Sequence, residues 1–217
     1  MNAYLDHNAT APLRPAARDA MVAAMDLVGN ASSVHGHGRA ARQLLETARR
    51  DVAALVGVPA AQVIFTSGAT EANNLALAAA GGGPVAVSAV EHESIIGAGG
   101  DFMVLAVDGD GVVDDDAMAR TLATVPPALV SVMAANNETG VVQPIGDLAA
   151  HAKAAGALFH SDMVQVAGKR DIDTAGIDLI SLSAHKIGGP AGIGALINSG
   201  DVDLTPVLRG GGQERGR

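Results

Sequence analysis

Residues 179–190 have the sequence LISLSAHKIGGP, in which a short apolar run passes directly into a polar turn that contains Lys186 and two glycines. The run is continuous rather than alternating, and this pattern is typical of a strand buried on both faces. Similar runs recur at residues 63–65, 85–87, 103–107, 129–133, 157–159 and 193–197. The sequence therefore predicts seven buried strands.

The segments between these runs are long enough for crossover helices. Helical patterns fit residues Pro15–Leu27, Arg39–Val56, Thr70–Ala80, Asp115–Ala123 and Gly146–Ala155. Strands that are buried on both faces and separated by helices favour a parallel sheet. The predicted fold is an α/β domain with a mostly parallel seven-stranded sheet flanked by helices, and residues 208–217 lie outside this pattern.

The composition narrows the class of partner. The chain has 217 residues with 23 Asp+Glu against 14 Lys+Arg and a net charge of −9, which disfavours nucleic acid and anionic membranes as partners. No stretch is apolar over the roughly 18 residues that a membrane span needs. The start of the chain lacks the pattern of a signal peptide, so we expect a cytoplasmic protein.

Cysteine is absent from the sequence. This excludes disulfides, cysteine-ligated zinc, iron–sulfur ligation and a thiol nucleophile within these residues. The sequence predicts no metal site.

In an open parallel sheet, ligands bind beyond the carboxyl ends of the strands, so the residues after each apolar run are candidates for a site. Residues 66–71, TSGATE, form a glycine turn that leads into a helix. Free backbone N–H groups and the hydroxyls of Ser67 and Thr70 would suit a phosphate there. An ordinary helix cap by Ser67 or Thr70 is the alternative.

Polar residues follow two further strands. His92 comes after the run at 85–87, where its ring could stack on a planar ligand, act as an acid or base, or be solvated. Asn136, Asn137 and Glu138 come after the run at 129–133. They could contact a ligand or form an Asx-type turn.

A carboxylate and an amine complete the set. Asp162 lies at the end of a buried strand, where an ionised carboxylate needs a cationic or hydrogen-bonding partner, either structural or a ligand. Lys186 lies between an apolar run and a Gly-Gly-Pro turn. That setting suits an amine whose lowered pKa makes it a nucleophile, although a solvated loop lysine is the alternative.

Together these candidates are the parts that pyridoxal phosphate requires. A lysine binds its aldehyde, a carboxylate keeps the pyridine nitrogen protonated, and a helix N-terminus takes the phosphate. Independent structural accidents would not place all of these at the ends of successive strands. The sequence therefore predicts a pyridoxal phosphate site.

The order of these motifs resembles that of the class V aminotransferase-like, fold-type I pyridoxal phosphate enzymes. Among them it is most similar to the cysteine desulfurases of iron–sulfur cluster assembly. The resemblance rests on residues 4–10 (YLDHNAT), 66–71 (TSGATE), 91–92 (EH), 136–140 (NNETG), 160–162 (HSD) with Gln165, 183–186 (SAHK) and 210–216 (GGGQERG).

The resemblance implies a role for each candidate. Lys186, His92 and Asp162 would be the catalytic residues: Lys186 binds the cofactor covalently, Asp162 pairs with the pyridine nitrogen, and His92 stacks on the ring. The remaining cofactor contacts would come from Gln165 and Asn137 near the phenolic oxygen, and from Ala69, Thr70, Ser183 and His185 at the phosphate.

The implied reaction converts L-cysteine to L-alanine and leaves the sulfur as a persulfide on a cysteine of a C-terminal loop. The implied partners are L-cysteine, a second subunit in a homodimer, and a sulfur acceptor or scaffold protein. Two alternatives stay open. One is another class V enzyme, such as a selenocysteine lyase or an aminotransferase, and the other is a non-catalytic binding or dimerisation module.

The family chains are roughly twice as long as this one, and this chain lacks the catalytic cysteine. We therefore expect a fragment that is inactive alone. In this interpretation, residues 1–15 form an N-terminal segment that would pack on an absent small domain. Residues 16–217 form the cofactor-binding large domain, incomplete at its C-terminal end.

Overall fold

A computed structural model describes residues 3–171 and 173–216, and these residues form one sheet of seven strands with helices on both faces. The strands are β1 Val63–Thr66, β2 Val85–Ser88, β3 Phe102–Leu105, β4 Leu129–Ser131, β5 Leu158–Asp162, β6 Leu179–Ser183 and β7 Gly194–Asn198. Their spatial order is β1-β7-β6-β5-β4-β2-β3. Only β7 runs antiparallel to its neighbours among these strands, so the prediction of a mostly parallel sheet is confirmed.

The helices of the described residues are α1 Pro15–Met25, α2 Gly36–Val56, α3 Ala69–Ala78, α4 Glu93–Ile96, α5 Asp115–Thr124 and α6 Ile145–Ala154. Five of them lie where the sequence pattern predicts helices, within a few residues. The single-turn helix α4 is too short to show a helical period and was not predicted. Among the described residues, no helix combines the length and the apolar character that crossing a membrane requires.

Helix α2 begins three residues before its predicted start. The ring nitrogen Nδ1 of His35 accepts a hydrogen bond from the Gly38 backbone N–H at 3.3 Å, and this bond caps the helix. The helix ends at Gly57, whose φ of +72° is the left-handed conformation that favours glycine.

Two apolar layers cover the faces of the sheet. Leu179 packs into the layer beneath α3, whereas the next residue, Ile180, packs into the layer formed with α2, α5 and α6. Successive side chains of a strand point to opposite faces, and here both faces are covered. This is why the strands appear in the sequence as continuous apolar runs rather than alternating ones.

The segment around Glu214 is anchored beside the edge strand β1. The Glu214 carboxylate accepts two hydrogen bonds from the buried Arg49 guanidinium, at 2.7 and 2.8 Å, and one from the Phe65 backbone N–H at 2.9 Å. The guanidinium also donates to the Val63 carbonyl and lies over the Phe65 ring. Residues 213–216 therefore lie outside the sheet, as predicted, and Glu214 binds the backbone of its edge strand.

The carboxyl ends of β1, β2, β4, β5 and β6 share one edge of the sheet, and the reversed strand β7 begins there at Gly194. A Cβ atom at Gly194 would lie only 2.7 Å from the backbone of Gly68. Glycine at this position lets the turn after β1 pack against β7. The turns that carry the candidate residues thereby meet around one depression.

Candidate active site

A cavity of about 350 Å³ lies at this edge, within the range of small-ligand sites. Two depressions elsewhere are larger, about 610 and 680 Å³, but they are more open and none of the predicted site residues lines them. The cavity at the carboxyl edge is lined by all nine residues that the sequence singles out, namely Ala69, Thr70, His92, Asn137, Asp162, Gln165, Ser183, His185 and Lys186.

Helix α3 presents its N-terminus to the cavity without a side-chain cap. Gly68 occupies the cap position, and no side chain among the residues that the structure describes caps the helix there. Ser67 instead donates through its backbone N–H and its hydroxyl to Glu71 Oε2, at 2.7 and 2.6 Å. The alternative of an ordinary cap by Ser67 or Thr70 is therefore wrong. The N–H groups of the first turn remain suited to an anion such as a phosphate.

Asp162, the last residue of β5, is buried at the floor of the cavity. Its Oδ2 accepts from Asn73 Nδ2 at 2.8 Å and its Oδ1 from the Val164 N–H at 3.0 Å. Burial raises the pKa of this carboxyl, while these two hydrogen bonds and the nearby His92 and Lys186 act in the opposite direction. Within the described residues Asp162 forms no ion pair, so its negative charge is available to a cation in the cavity.

Lys186 lies in the short turn that follows β6 and lines the cavity. Its ammonium donates to the backbone carbonyl of Asn8 and, at 2.9 Å, to that of Ala9. Partial burial lowers the pKa of Lys186, although the charges of Asp162 and Asp6 oppose this. The side chain is thus held within the site rather than freely solvated.

Residues 8–14 contact the Lys186 turn through several hydrogen bonds. The backbone N–H of Ala11 donates to the His185 carbonyl at 2.8 Å, and that of Arg14 donates to the Gly188 carbonyl at 2.9 Å. The hydroxyl of Thr10 lies 3.2 Å from His185 Nδ1. The packing of residues 1–15 on a small domain stays a prediction, and residues 1 and 2 lie outside the described residues.

His92 caps helix α4 and also lines the cavity. Its Nδ1 accepts from the Ser94 backbone N–H at 3.0 Å and lies 2.8 Å from the Ser94 hydroxyl. A ring nitrogen that accepts from a backbone N–H carries no proton, so the neutral ring has its proton on Nε2. His92 is therefore an oriented imidazole rather than a merely solvated one.

For the loop after β4 the sequence left two roles open, an Asx-type turn and a contact with a ligand, and two neighbouring residues differ in this respect. Asn136 Oδ1 accepts from the backbone N–H groups of Glu138 and Thr139, both at 2.9 Å, which is the Asx-type turn. Asn137 lines the cavity. The turn thus presents Asn137 to the site.

Gln165 and Ser183 also border the cavity. Gln165 Nε2 donates to the Asn8 carbonyl at 2.9 Å, and its Oε1 accepts from Lys169 Nζ at 2.8 Å. Ser183 is a buried residue at the end of β6. The structure gathers these residues with the others, while the role assigned to each one stays a prediction.

Sequence reasoning assigned no role to two polar residues beneath the cavity, although one of them, Glu91, belongs to a stretch that carries the family resemblance. Asn73 is fully buried and donates to Asp162, while Glu91 accepts at Oε1 from the Ser88 hydroxyl and the Met133 N–H. Burial, reinforced by the charge of Asp162, raises the pKa of Glu91 to about 8. The available signal for Asn73 was its place on the apolar face of α3, since a polar side chain there needs a buried partner.

This set of groups fits pyridoxal phosphate. In the described part of the chain, one cavity combines a helix N-terminus without a side-chain cap, a buried carboxylate that forms no ion pair, an amine of lowered pKa and an imidazole. Each matches a chemical feature of that cofactor.

Comparison with known proteins agrees with the family resemblance of the sequence motifs. The family profile described as Aminotransferase class-V matches residues 3–215. An IscS-like cysteine desulfurase of Mycobacterium tuberculosis is 40% identical over 233 residues, and a cysteine desulfurase of Cereibacter sphaeroides is 44% identical over 230. Each alignment covers 98% of this chain and 59% of the relative, so the chain spans about three fifths of the length of these curated relatives.

Solved structures are also similar. A NifS-like protein from Rickettsia africae superimposes with a TM-score of 0.93 at 39% identity, over 98% of this chain and 62% of that one. A structure described as SspA in complex with cysteine has a TM-score of 0.88 at 31% identity, over 99% of this chain and 67% of that one.

Proposed function

Because the chain belongs to the class V aminotransferase family, we propose that it carries the pyridoxal phosphate site of a cysteine desulfurase. Such an enzyme takes sulfur from L-cysteine and leaves L-alanine. The observation that carries the proposal is the presence in one cavity of Lys186 and of the Asp162 carboxylate, which forms no ion pair among the described residues, beside the start of α3, where no side-chain cap is described. The cysteine desulfurase relatives, at about 40% identity over nearly the whole chain, support the choice of reaction.

When bound, pyridoxal phosphate supplies a ring that accepts electrons from the substrate carbon. Lys186 would hold the aldehyde carbon covalently, and its lowered pKa favours the neutral amine that this bond needs. Asp162 would keep a proton on the ring nitrogen. The N–H groups at the start of α3, with Thr70 and Ser183 nearby, would bind the phosphate.

His92 has one ring nitrogen left for chemistry. Since Nδ1 is occupied by Ser94, Nε2 carries the proton of the neutral ring. An imidazole with a free N–H can donate that proton within the site. We assign to His92 both the contact with the ring and this transfer.

The sulfur-accepting thiol has to come from elsewhere, because these 217 residues contain no cysteine. The proposal places it in a further part of the protein or in a partner. The other proposed partners are L-cysteine, a second copy of the chain and a sulfur acceptor or scaffold protein. The structural relative in complex with cysteine supports the first of these. A cytoplasmic location stays a prediction from composition.

The test of the cofactor site uses the small number of lysines in the chain, which are Lys153, Lys169 and Lys186. The protein is incubated with pyridoxal phosphate, reduced with borohydride, digested and mapped by mass spectrometry. We expect a pyridoxyl group on Lys186 alone. Lys186→Ala should abolish the adduct, whereas Lys153→Ala, a change on the exposed side of α6, should leave it in place.

An adduct on another lysine, or none on folded protein, would contradict the proposed site. The reaction itself is tested with L-cysteine and a thiol reductant in a protein of the relatives' full length, which includes the two fifths that this chain does not cover. Equimolar alanine and sulfide are the expected products. Turnover of L-selenocysteine alone would favour a selenocysteine lyase instead, and amino transfer without sulfide would favour an aminotransferase.

A further inference from the structure

Asn73 connects two groups of the candidate active site from below. This residue of α3 is fully buried, and its Nδ2 lies 2.8 Å from Asp162 Oδ2 and 2.8 Å from the Ser94 hydroxyl. Ser94 in turn contacts His92 Nδ1 at 2.8 Å. A continuous hydrogen-bonded chain therefore runs from Asp162 through Asn73 and Ser94 to His92.

The charge on Asp162 fixes the orientation of the Asn73 amide. Both hydrogens of Nδ2 are used, while Asn73 Oδ1 is buried and has no hydrogen-bond partner in the described part of the chain. Reversing the amide would place Oδ1 against the Asp162 carboxylate, where two acceptors would face each other. A buried carbonyl without a partner is costly, so this arrangement is retained against a local penalty.

The same orientation determines the hydrogen bond to His92. Because the Ser94 oxygen accepts from Asn73, its own hydrogen is free to donate to His92 Nδ1. The Ser94 backbone N–H donates to the same nitrogen. Asn73 thus favours the tautomer of His92 that has its proton on Nε2.

We propose that Asn73 is a positioning residue that holds the Asp162 carboxylate and, through Ser94, the His92 imidazole in the arrangement that the cofactor site needs. This inference rests on the proposed function for its purpose, but the hydrogen bonds belong to the protein alone. A positioning role differs from a space-filling role, in which only the volume of the side chain at position 73 would matter.

The neighbouring Asn74 provides a matched control. Its Nδ2 donates at 2.8 Å to the Thr70 carbonyl on the same helix, and it does not line the cavity. Asn74→Ala therefore removes the same side chain from the adjacent position without touching Asp162 or Ser94. Ser94→Ala removes only the part of the hydrogen-bonded network that leads from Asn73 to His92.

The first measurement uses protein without cofactor. The Asp162 carboxyl is titrated by ¹³C NMR and the His92 ring nitrogens are observed by ¹⁵N NMR. Since the bond from Asn73 lowers the pKa of Asp162, Asn73→Ala should raise that pKa. It should also shift the signal of His92 Nδ1, which keeps its bond from the Ser94 N–H but loses the fixed orientation of the Ser94 hydroxyl. Ser94→Ala should change the His92 signals and leave the Asp162 titration as in the unmodified protein. Asn74→Ala should change neither.

The second measurement is the affinity for pyridoxal phosphate, followed by the visible absorbance of the bound cofactor across pH. Asn73→Ala should weaken binding about tenfold, the size of one lost charge-assisted hydrogen bond. It should also shift the pH dependence of the absorbance. Asn73→Leu, which fills the space without a donor, should behave as the alanine variant does and gives the answer if the alanine variant does not fold.

The proposal would be overturned if Asn73→Leu matched Asn74→Ala in the Asp162 titration, the His92 signals and the cofactor affinity. Rescue of all three by the leucine side chain would point to space filling alone. A failure of the proposed function is a separate result. In that case the unmodified protein would form no adduct on Lys186, while the NMR titrations would still report whether Asn73 controls Asp162 and His92.

Discussion

The two sides of the candidate active site are held by different kinds of contact. Asp162 is buried and receives hydrogen bonds from the Asn73 side chain and the Val164 N–H. Lys186 instead donates to the backbone carbonyls of Asn8 and Ala9, which lie in an exposed segment without a helix or strand. The fold thus fixes the carboxylate that is proposed to hold a charge in the site. It leaves the amine that is proposed to react with contacts that a ligand can replace.

The buried side continues down into the sheet. His160 precedes Asp162 by two residues on β5, so its side chain points to the same face. Its ring nitrogens lie 2.8 Å from the Ser131 hydroxyl and 2.9 Å from the Ser181 hydroxyl, which connects β4, β5 and β6. Burial lowers the pKa of His160 to about 3, so the ring is neutral and supports the floor of the cavity without adding charge.

Removing the His160 side chain should give the largest loss of stability among the variants proposed here. His160→Ala loses two hydrogen bonds, leaves two buried hydroxyls unpaired and opens a cavity, so we expect a loss of about 4 kcal/mol in the free energy of unfolding. On the surface side, His185→Ala loses its contact with the exposed Thr10 hydroxyl and should cost less than about 1 kcal/mol. Urea denaturation of both variants measures the difference. Equal losses would contradict the contrast between the two sides.

The next effect is a dependence of stability on pH that originates at Glu91. Its pKa in the folded protein is about 8 against an ordinary 4.5, so the folded chain holds this proton more tightly than the unfolded chain does. The stabilisation is complete at low pH and is lost as the pH rises towards 8, by about 1.4 kcal/mol per unit. Glu91→Gln keeps an oxygen for Ser88 and Met133 but cannot ionise, so it should remove this slope.

Measurements above about pH 7.5 separate Glu91 from His160. About one unit above its ordinary pKa of 6.5, His160 is largely neutral in both the folded and the unfolded chain and contributes little slope. Below that value it opposes Glu91, because the unfolded chain binds a proton that the folded chain refuses. Denaturation at several pH values provides the measurement. A parallel decline in the unmodified protein and in Glu91→Gln would assign the slope to other groups, of which Asp162 is the first candidate.

A smaller effect of opposite sign is expected at Asp162 itself. Asp162→Asn removes a buried charge, and reversal of Asn73 would give its unpaired Oδ1 the new amide as a donor. We expect the protein without cofactor to gain about 1 kcal/mol in stability, as often happens when a functional site is relieved of its own constraints. Affinity for pyridoxal phosphate should fall. Thermal unfolding and cofactor titration test the two parts, and a less stable variant would contradict the first.

The sequence predicts the strands and turns that form the site better than the hydrogen bonds between its side chains. The strands were visible because burial on both faces leaves continuous apolar runs, such as Leu179–Leu182. Because ligands bind beyond the carboxyl ends of the strands in an open parallel sheet, the residues after each run could then be predicted to border one site. The single-turn helix α4, which places Ser94 between His92 and Asn73, has too few residues to leave a periodic pattern.

The partners in long-range hydrogen bonds cannot be read from the sequence pattern, even where a polar residue on an apolar face indicates that a buried partner is needed. Asn73 and Asp162 are separated by 89 positions, and Asn8 and Lys186 by 178. Both contacts depend on how strands and segments are stacked, which local patterns do not encode. The contact of Lys186 with Asn8 is made by a backbone carbonyl, so the identity of residue 8 carries no information about it.

The backbone contact between Asn8 and Lys186 leads to the smallest predicted effect. Replacing asparagine by alanine at position 8 and at position 73 compares the exposed and the buried side of the site by the same substitution. Asn8→Ala leaves the carbonyl that Lys186 contacts and removes only an exposed hydrogen bond of 3.2 Å to the Asn137 carbonyl. We expect a stability change within about 0.5 kcal/mol and an unchanged adduct on Lys186. Asn73→Ala, the same substitution in the core, should cost about 2 kcal/mol. If denaturation gave Asn8→Ala the larger loss, the side chains of residues 8–10, rather than their backbone, would be holding the amine.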